Sequence, residues 1–283
     1  MVDTAHTGQA IGTPTAEPSF PQDVRAAVRL WRGNITVPVI YLVIACAGAV
    51  LAFVTPRPEA HCVHRTLGNC PVHQSPYVGL AYLAVFPLLI FQLGLAGAAR
   101  VWYVRRQRNE HVPFSEIWAL SWRFFGRFLV LAIYVGLIAL PFVVGAAVAA
   151  QTTNNHLPYL LMGITVAVLF DIALTFVTPW LALFQPRPGH ALREGWRILR
   201  ASWPRSLPYA LVPPLAFQVL AQAFRSHVNH WVLAAFALVG PPLTLAFSGA
   251  TVLFLLRRYP EPTWNGSLDT WPEPTGRHRI SLT

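Results

Sequence analysis

The sequence predicts an all-α, polytopic membrane protein with six transmembrane helices in three hairpins. Each hairpin is expected to be preceded by an amphipathic helix on the cytoplasmic interface. Composition, apolar run length and the placement of arginine predict it. The 283 residues are 54% hydrophobic and only 11% charged. Soluble domains carry about 25% charged residues, so lipid is the expected solvent. Six stretches are long and apolar enough to be read as spans, which need roughly 20 such residues. All 21 basic residues are Arg, and 18 of them fall on one side of the resulting topology.

Taken in chain order, residues 1–21 are polar and rich in Thr, Pro and Gly, and read as a disordered cytoplasmic tail. They lack the apolar core of a cleaved leader, so the first apolar segment is expected to act as an uncleaved signal-anchor. The membrane domain is expected over 22–258. Its six spans are placed at 35–54, 77–99, 128–150, 159–184, 207–224 and 231–256. The fifth carries Pro208, Pro213 and Pro214 and is expected to be kinked or partly unwound. Pro241 and Pro242 are expected to bend the sixth. Residues 259–283, with four further prolines, read as a second disordered cytoplasmic tail.

Orientation follows from charge. Only Arg57, Arg65 and Arg225 fall on the outer side, against 18 on the inner side. This positive-inside bias puts both termini in the cytoplasm, as an even span count requires. Tyr77, Tyr159 and Trp231 open spans at the outer border. Trp102, Tyr103, Trp118 and Trp122 lie at the inner border, as an aromatic belt would. The expected location is the bacterial inner membrane.

Three cytoplasmic segments resemble one another: 23–33, 114–127 and 191–203. Each contains Trp-Arg, as Trp31-Arg32, Trp122-Arg123 and Trp196-Arg197. In the first, Val24, Ala27, Val28 and Trp31 share a helical face opposite Arg25, Arg29 and Arg32. In the second, Phe114, Ile117, Trp118, Ser121, Trp122 and Phe125 form the stripe. In the third, Leu192, Trp196, Leu199 and Trp203 oppose Arg193, Arg197 and Arg200. Periods of three and four with an Arg-rich back describe helices lying on anionic lipid headgroups. Ser19, with Gln22 three residues on, is the expected start of the first. The three segments align differently on Trp-Arg than on their Arg triads, so they are alike in kind and not residue by residue.

The stretch from Phe176 to Leu211 is similar to a pattern in the membrane domain of glycerophosphoryl diester phosphodiesterase and the related YciC-like six-span bacterial families. Ala191, Leu192, Gly195, Trp196 and Arg197 occupy that pattern, with Gly195 in place of the usual Ser. The resemblance implies a six-span fold. It implies no catalysis, because the phosphodiesterase domain of such proteins is a separate soluble barrel, for which no room is expected here.

Candidate chemistry is sparse. Asp171, near the middle of the fourth span, is expected to face the bundle with Thr175 and Thr178, and Gln92 is its best polar partner. It reads either as a proton or cation site or as a hydrogen-bonded packing residue. The outer loop places Cys62 and Cys70 eight residues apart, which suits a disulfide. The same loop offers His61, Cys62, His64, Cys70 and His73 as an alternative metal set. Cys46 reads as a small packing residue. Gly94, Gly97 and Ala98, and again Gly145, Ala146 and Ala149, suit close helix contact. No phosphate-binding loop, His-Glu-x-x-His or Gly-x-Ser-x-Gly motif occurs.

The expected function is therefore non-catalytic: a scaffold, accessory or lipid-associated membrane subunit. No cofactor is expected. Its partners would be anionic headgroups, with a protein partner or second copy open and no nucleic acid. The alternatives are a small-solute or ion transporter component using Asp171 and the Pro-rich fifth and sixth helices, or an outer-face metal or redox protein.

Overall fold

The computed structural model describes residues 18–54, 76–153, 156–184, 186–225, 230–260 and 262. These residues form helices and connecting turns, with no strand among them. In order they are α1 (Phe20–Trp31), α2 (Thr36–Val54), α3 (Pro76–Gln107), α4 (Phe114–Thr153), α5 (His156–Leu174), α6 (Val177–Leu183), α7 (Pro188–Ala201), α8 (Trp203–Arg225) and α9 (His230–Arg258).

Two helices are long and apolar enough to cross a membrane by length and composition, over Phe114–Phe142 and Ala234–Arg258. A third candidate is the pair formed by α1 and the first part of α2, which meet at 99°. The other apolar stretches, in α3, α5 and α8, are helical where the sequence places spans.

Local sequence explains where helices start and stop. Ser19 caps α1, and its N–H donates to Gln22 Oε1 at 2.7 Å. Gly33 and Asn34 break the chain between α1 and α2. The Asn34 side chain then accepts the Thr36 N–H at 2.9 Å and donates to the Val112 carbonyl at 3.0 Å. Asn109, at φ 59°, takes the left-handed conformation that Asn tolerates, and it ends α3. Pro188 starts α7, and Ser202 ends it just before Pro204.

The structure corrects two expectations. The segment 114–127 is not a separate surface helix. It is the first third of α4, which runs unbroken for 40 residues. At ~1.5 Å per residue that is about 60 Å, twice a bilayer core of ~30 Å. No proline lies between Phe114 and Pro141 to stop it, whereas Gly33-Asn34 and Pro204 interrupt the other two units.

The unwinding weighed for the fifth span is not seen there, since its helix is continuous. α8 stays helical through Pro208, Pro213 and Pro214, and α9 through Pro241 and Pro242. The predicted fourth span instead splits at Thr175 and Phe176 into α5 and α6.

The most extensive contacts join α3 to α4 and α2 to α9, and the consecutive apolar helices α4 and α5, α8 and α9, and α2 and α3 also touch. Small residues explain the first pairing. A Cβ on Gly94 would fall on the Ser121 carbonyl oxygen, and one on Gly97 would lie 2.5 Å from Phe124 Cγ. Gly145, the other expected contact residue, has open space around it.

The best-packed core lies at the Arg-rich end. α9 is its axis, and Thr251 to Leu256 are all buried. Trp102, Tyr103, Phe124 and Phe176 fill the space around it with fully buried rings.

Candidate functional site

The structure gathers α1, α7, the C-terminal ends of α3 and α9 and the N-terminal ends of α4 and α8 at one end of the molecule. This is the end that carries most of the arginines.

Each Trp-Arg segment has two apolar faces, which the sequence pattern had merged into one. On α7 the buried residues are Ala191, Gly195, Ile198 and Leu199. Gly195 is required there, since an added Cβ would meet Val177 Cγ2 at 2.6 Å. Trp196, expected on that face, is 46% exposed. On the first turns of α4 the buried residues are Ile117, Leu120, Ser121 and Phe124, with Ser121 and Phe124 against Gly94 and Gly97 of α3, while Trp122 is 51% exposed. Phe114, Trp118 and Trp203 are also exposed. Small and aliphatic residues, with Phe124 on α4, thus pack inward, and indole rings project outward beside exposed Arg123, Arg193, Arg197 and Arg200.

α1 departs from this pattern. Arg25, Arg29 and Arg32 are exposed, but Trp31 is half-buried. Its Nε1–H donates to Tyr103 Oη at 2.8 Å, and that hydroxyl donates to the Leu245 carbonyl at 3.0 Å. Gly249 makes room for the Tyr103 ring. Trp31 therefore ties α1 to α3 and α9, and Val28 takes the exposed apolar position.

A buried carboxylate completes the anchoring of α1. Asp23 is 2% exposed and accepts two hydrogen bonds from Arg257, with Nη1 at 2.7 Å from Oδ1. The Tyr209 hydroxyl also donates to Oδ2. Phe20 packs edge-on against the Tyr209 ring, with centroids 4.9 Å apart. A charged hydrogen-bonded pair of this kind tolerates burial because its polar atoms are met by partners. Sequence reasoning missed this group. The available signal was phase: Phe20, Asp23 and Ala27 are spaced three and four apart, so the single acid of α1 shares the buried face.

The turn after α3 is bracketed similarly. Arg105 donates to Glu110 at 2.8 Å and also to Glu116, and Arg106 reaches the Leu30 carbonyl beneath Gly33. Deeper along α3, Arg100 donates to the Ala96 carbonyl and to Thr178 Oγ1, the latter at 2.7 Å. Its guanidinium carbon stands 5.8 Å from the centre of the Phe128 ring.

The polar residues expected within the spans separate. Asp171 is exposed on α5, not turned into the bundle. Thr175 donates to the Asp171 carbonyl at 2.8 Å, a bond local to one turn of the helix. Gln92 is half-buried on α3. The reason is that α5 is apolar all round, so its sequence does not mark which face meets α4 and α8. Cys62, Cys70, His61, His64 and His73 lie outside the described residues. Among the described residues no cluster of metal-ligating side chains occurs, and Cys46 is exposed.

Beside the exposed aromatics lies an apolar groove of about 710 Å³ between α2, α3 and α4. Phe91 and Trp118 form one wall, with ring centroids 4.8 Å apart. No family model, curated protein or solved structure matches this chain.

Proposed function

We propose that the protein is a six-span, non-catalytic inner-membrane protein whose cytoplasmic face associates with anionic lipid. In this reading α1, α7 and the first turns of α4 form a collar at the headgroup level. The carrying observation is the division of α7 and the first turns of α4 into a packed inner face and an outer face of exposed indoles and guanidiniums. Indole rings favour the membrane interface, and Arg beside them favours anionic headgroups. A scaffold or accessory role in the bilayer follows, in line with the resemblance to the phosphodiesterase membrane-domain and YciC-like group. Both termini are cytoplasmic in this reading.

Two measurements test it. In a cysteine-free background, Arg108→Cys should react with a membrane-impermeant maleimide only from the cytoplasmic side, and Ser226→Cys only from the outside. Equal labelling of both in intact cells would sink the topology. In vesicles, lipids brominated near the headgroup should quench Trp122 and Trp196 more than Trp31. Equal quenching of all three would sink the collar.

A further inference from the structure

The groove between α2, α3 and α4 has features that the collar alone does not need. Its lining includes Ile35, Val39, Val43, Pro87, Phe91 and Trp118, and the exposed surface is almost wholly apolar. Ile35, Val39 and Val43 stand four residues apart and form one continuous strip that starts just before α2 and runs along it. From Ile35 to Ile44 the strip is about 14 Å long at ~1.5 Å per residue. That is close to the depth of one leaflet, half of a core of ~30 Å. Its volume, about 710 Å³, falls in the range of pockets that enclose a small ligand.

One end of the groove adjoins the basic turn between α1 and α2 in sequence. Ile35 and Thr36 line that end, directly after the turn that carries Arg32. Arg32 and Arg29 are exposed and make no ion pair among the described residues. The nearby acids are already engaged, Asp23 by Arg257 and both Glu110 and Glu116 by Arg105. Arg32, three residues before Ile35, is therefore a cation within reach of that end with no local acid to compete for it.

We infer that the groove holds one acyl chain of an anionic phospholipid, with the phosphate at Arg32. This inference rests on the membrane reading above. Leaflet-length apolar walls select a lipid chain, and the uncompensated Arg within reach of one end selects an anionic headgroup.

The test uses the full-length chain in detergent micelles with equal amounts of phosphatidylglycerol and phosphatidylcholine of identical chains. Bound lipid is counted by native mass spectrometry. The wild type should retain phosphatidylglycerol preferentially. Arg32→Gln should lower that preference about fivefold, the equivalent of one Arg at an anionic surface. Val43→Trp should fill the groove and reduce both adducts, while Val212→Trp, on α8, should change neither. Should Val43→Trp melt early, Val39→Phe replaces it. Equal retention of the two lipids by the wild type, or adducts that ignore both groove substitutions, overturns the inference. Recovery of the chain in the aqueous phase of a detergent partition would instead overturn the membrane reading.

Discussion

Asp23 and Arg257 stand 234 residues apart in sequence and meet through two hydrogen bonds, joining the first helix to the end of the last. The pair fixes the surface helix α1 against α9, the axis of the core. Tyr209 adds α8 to the same junction. The first and last of the described helices are thereby held together at the Arg-rich end.

Asp23→Ala should destabilise the protein by about 3 kcal/mol, because it leaves Arg257 and Tyr209 without their shared acceptor. Tyr209→Phe removes one hydrogen bond and should cost about 1 kcal/mol. Thermal unfolding in micelles reads both. A D23A variant that melts with the wild type would remove the junction from the account of stability.

Gly94→Val should prevent α3 and α4 from closing, since the added carbons would fall on the Ser121 backbone. Overpacking that cannot relax typically costs about 1–3 kcal/mol or more. Gly145→Val, placed in open space on α4, is the control and should express normally. Comparable monodisperse yields of the two variants would contradict the close approach.

Two members of the Trp-Arg set should behave differently. Trp31→Phe loses the bond to Tyr103 and should cost about 1 kcal/mol of stability. Trp196→Phe should leave the melting temperature within about 1 °C and weaken binding to anionic vesicles instead. A reversal of these two outcomes would mean that Trp31 is the lipid contact.

Arg105 is held by two acids of different exposure. Glu116→Gln should destabilise by about 1 kcal/mol, because its side chain is only 19% exposed. Glu110→Gln should cost less, its side chain being 43% exposed and screened by solvent. Added salt should narrow the cost of the Glu110 change more than that of the Glu116 change.

The helical class, the approximate course of most apolar helices and the start of α1 were legible in the sequence. Those features depend on residues near in the chain: apolar run length, and Ser19 with Gln22. The Arg-rich end was legible too, because charge is read by counting. What the sequence could not show was which face of each helix meets another. Trp122 and Trp196 fall in the helical stripe that their spacing predicts, yet point outward, because tighter-packing neighbours such as Ser121 and Gly195 occupy the interior. Asp171 lies on a helix apolar all round, so no periodicity marked its exposed side. The pairing of α2 with α9, and of Asp23 with Arg257, depends on contacts between distant parts of the chain. Such contacts are set by shape and charge complementarity in three dimensions, and only the tertiary structure decided them.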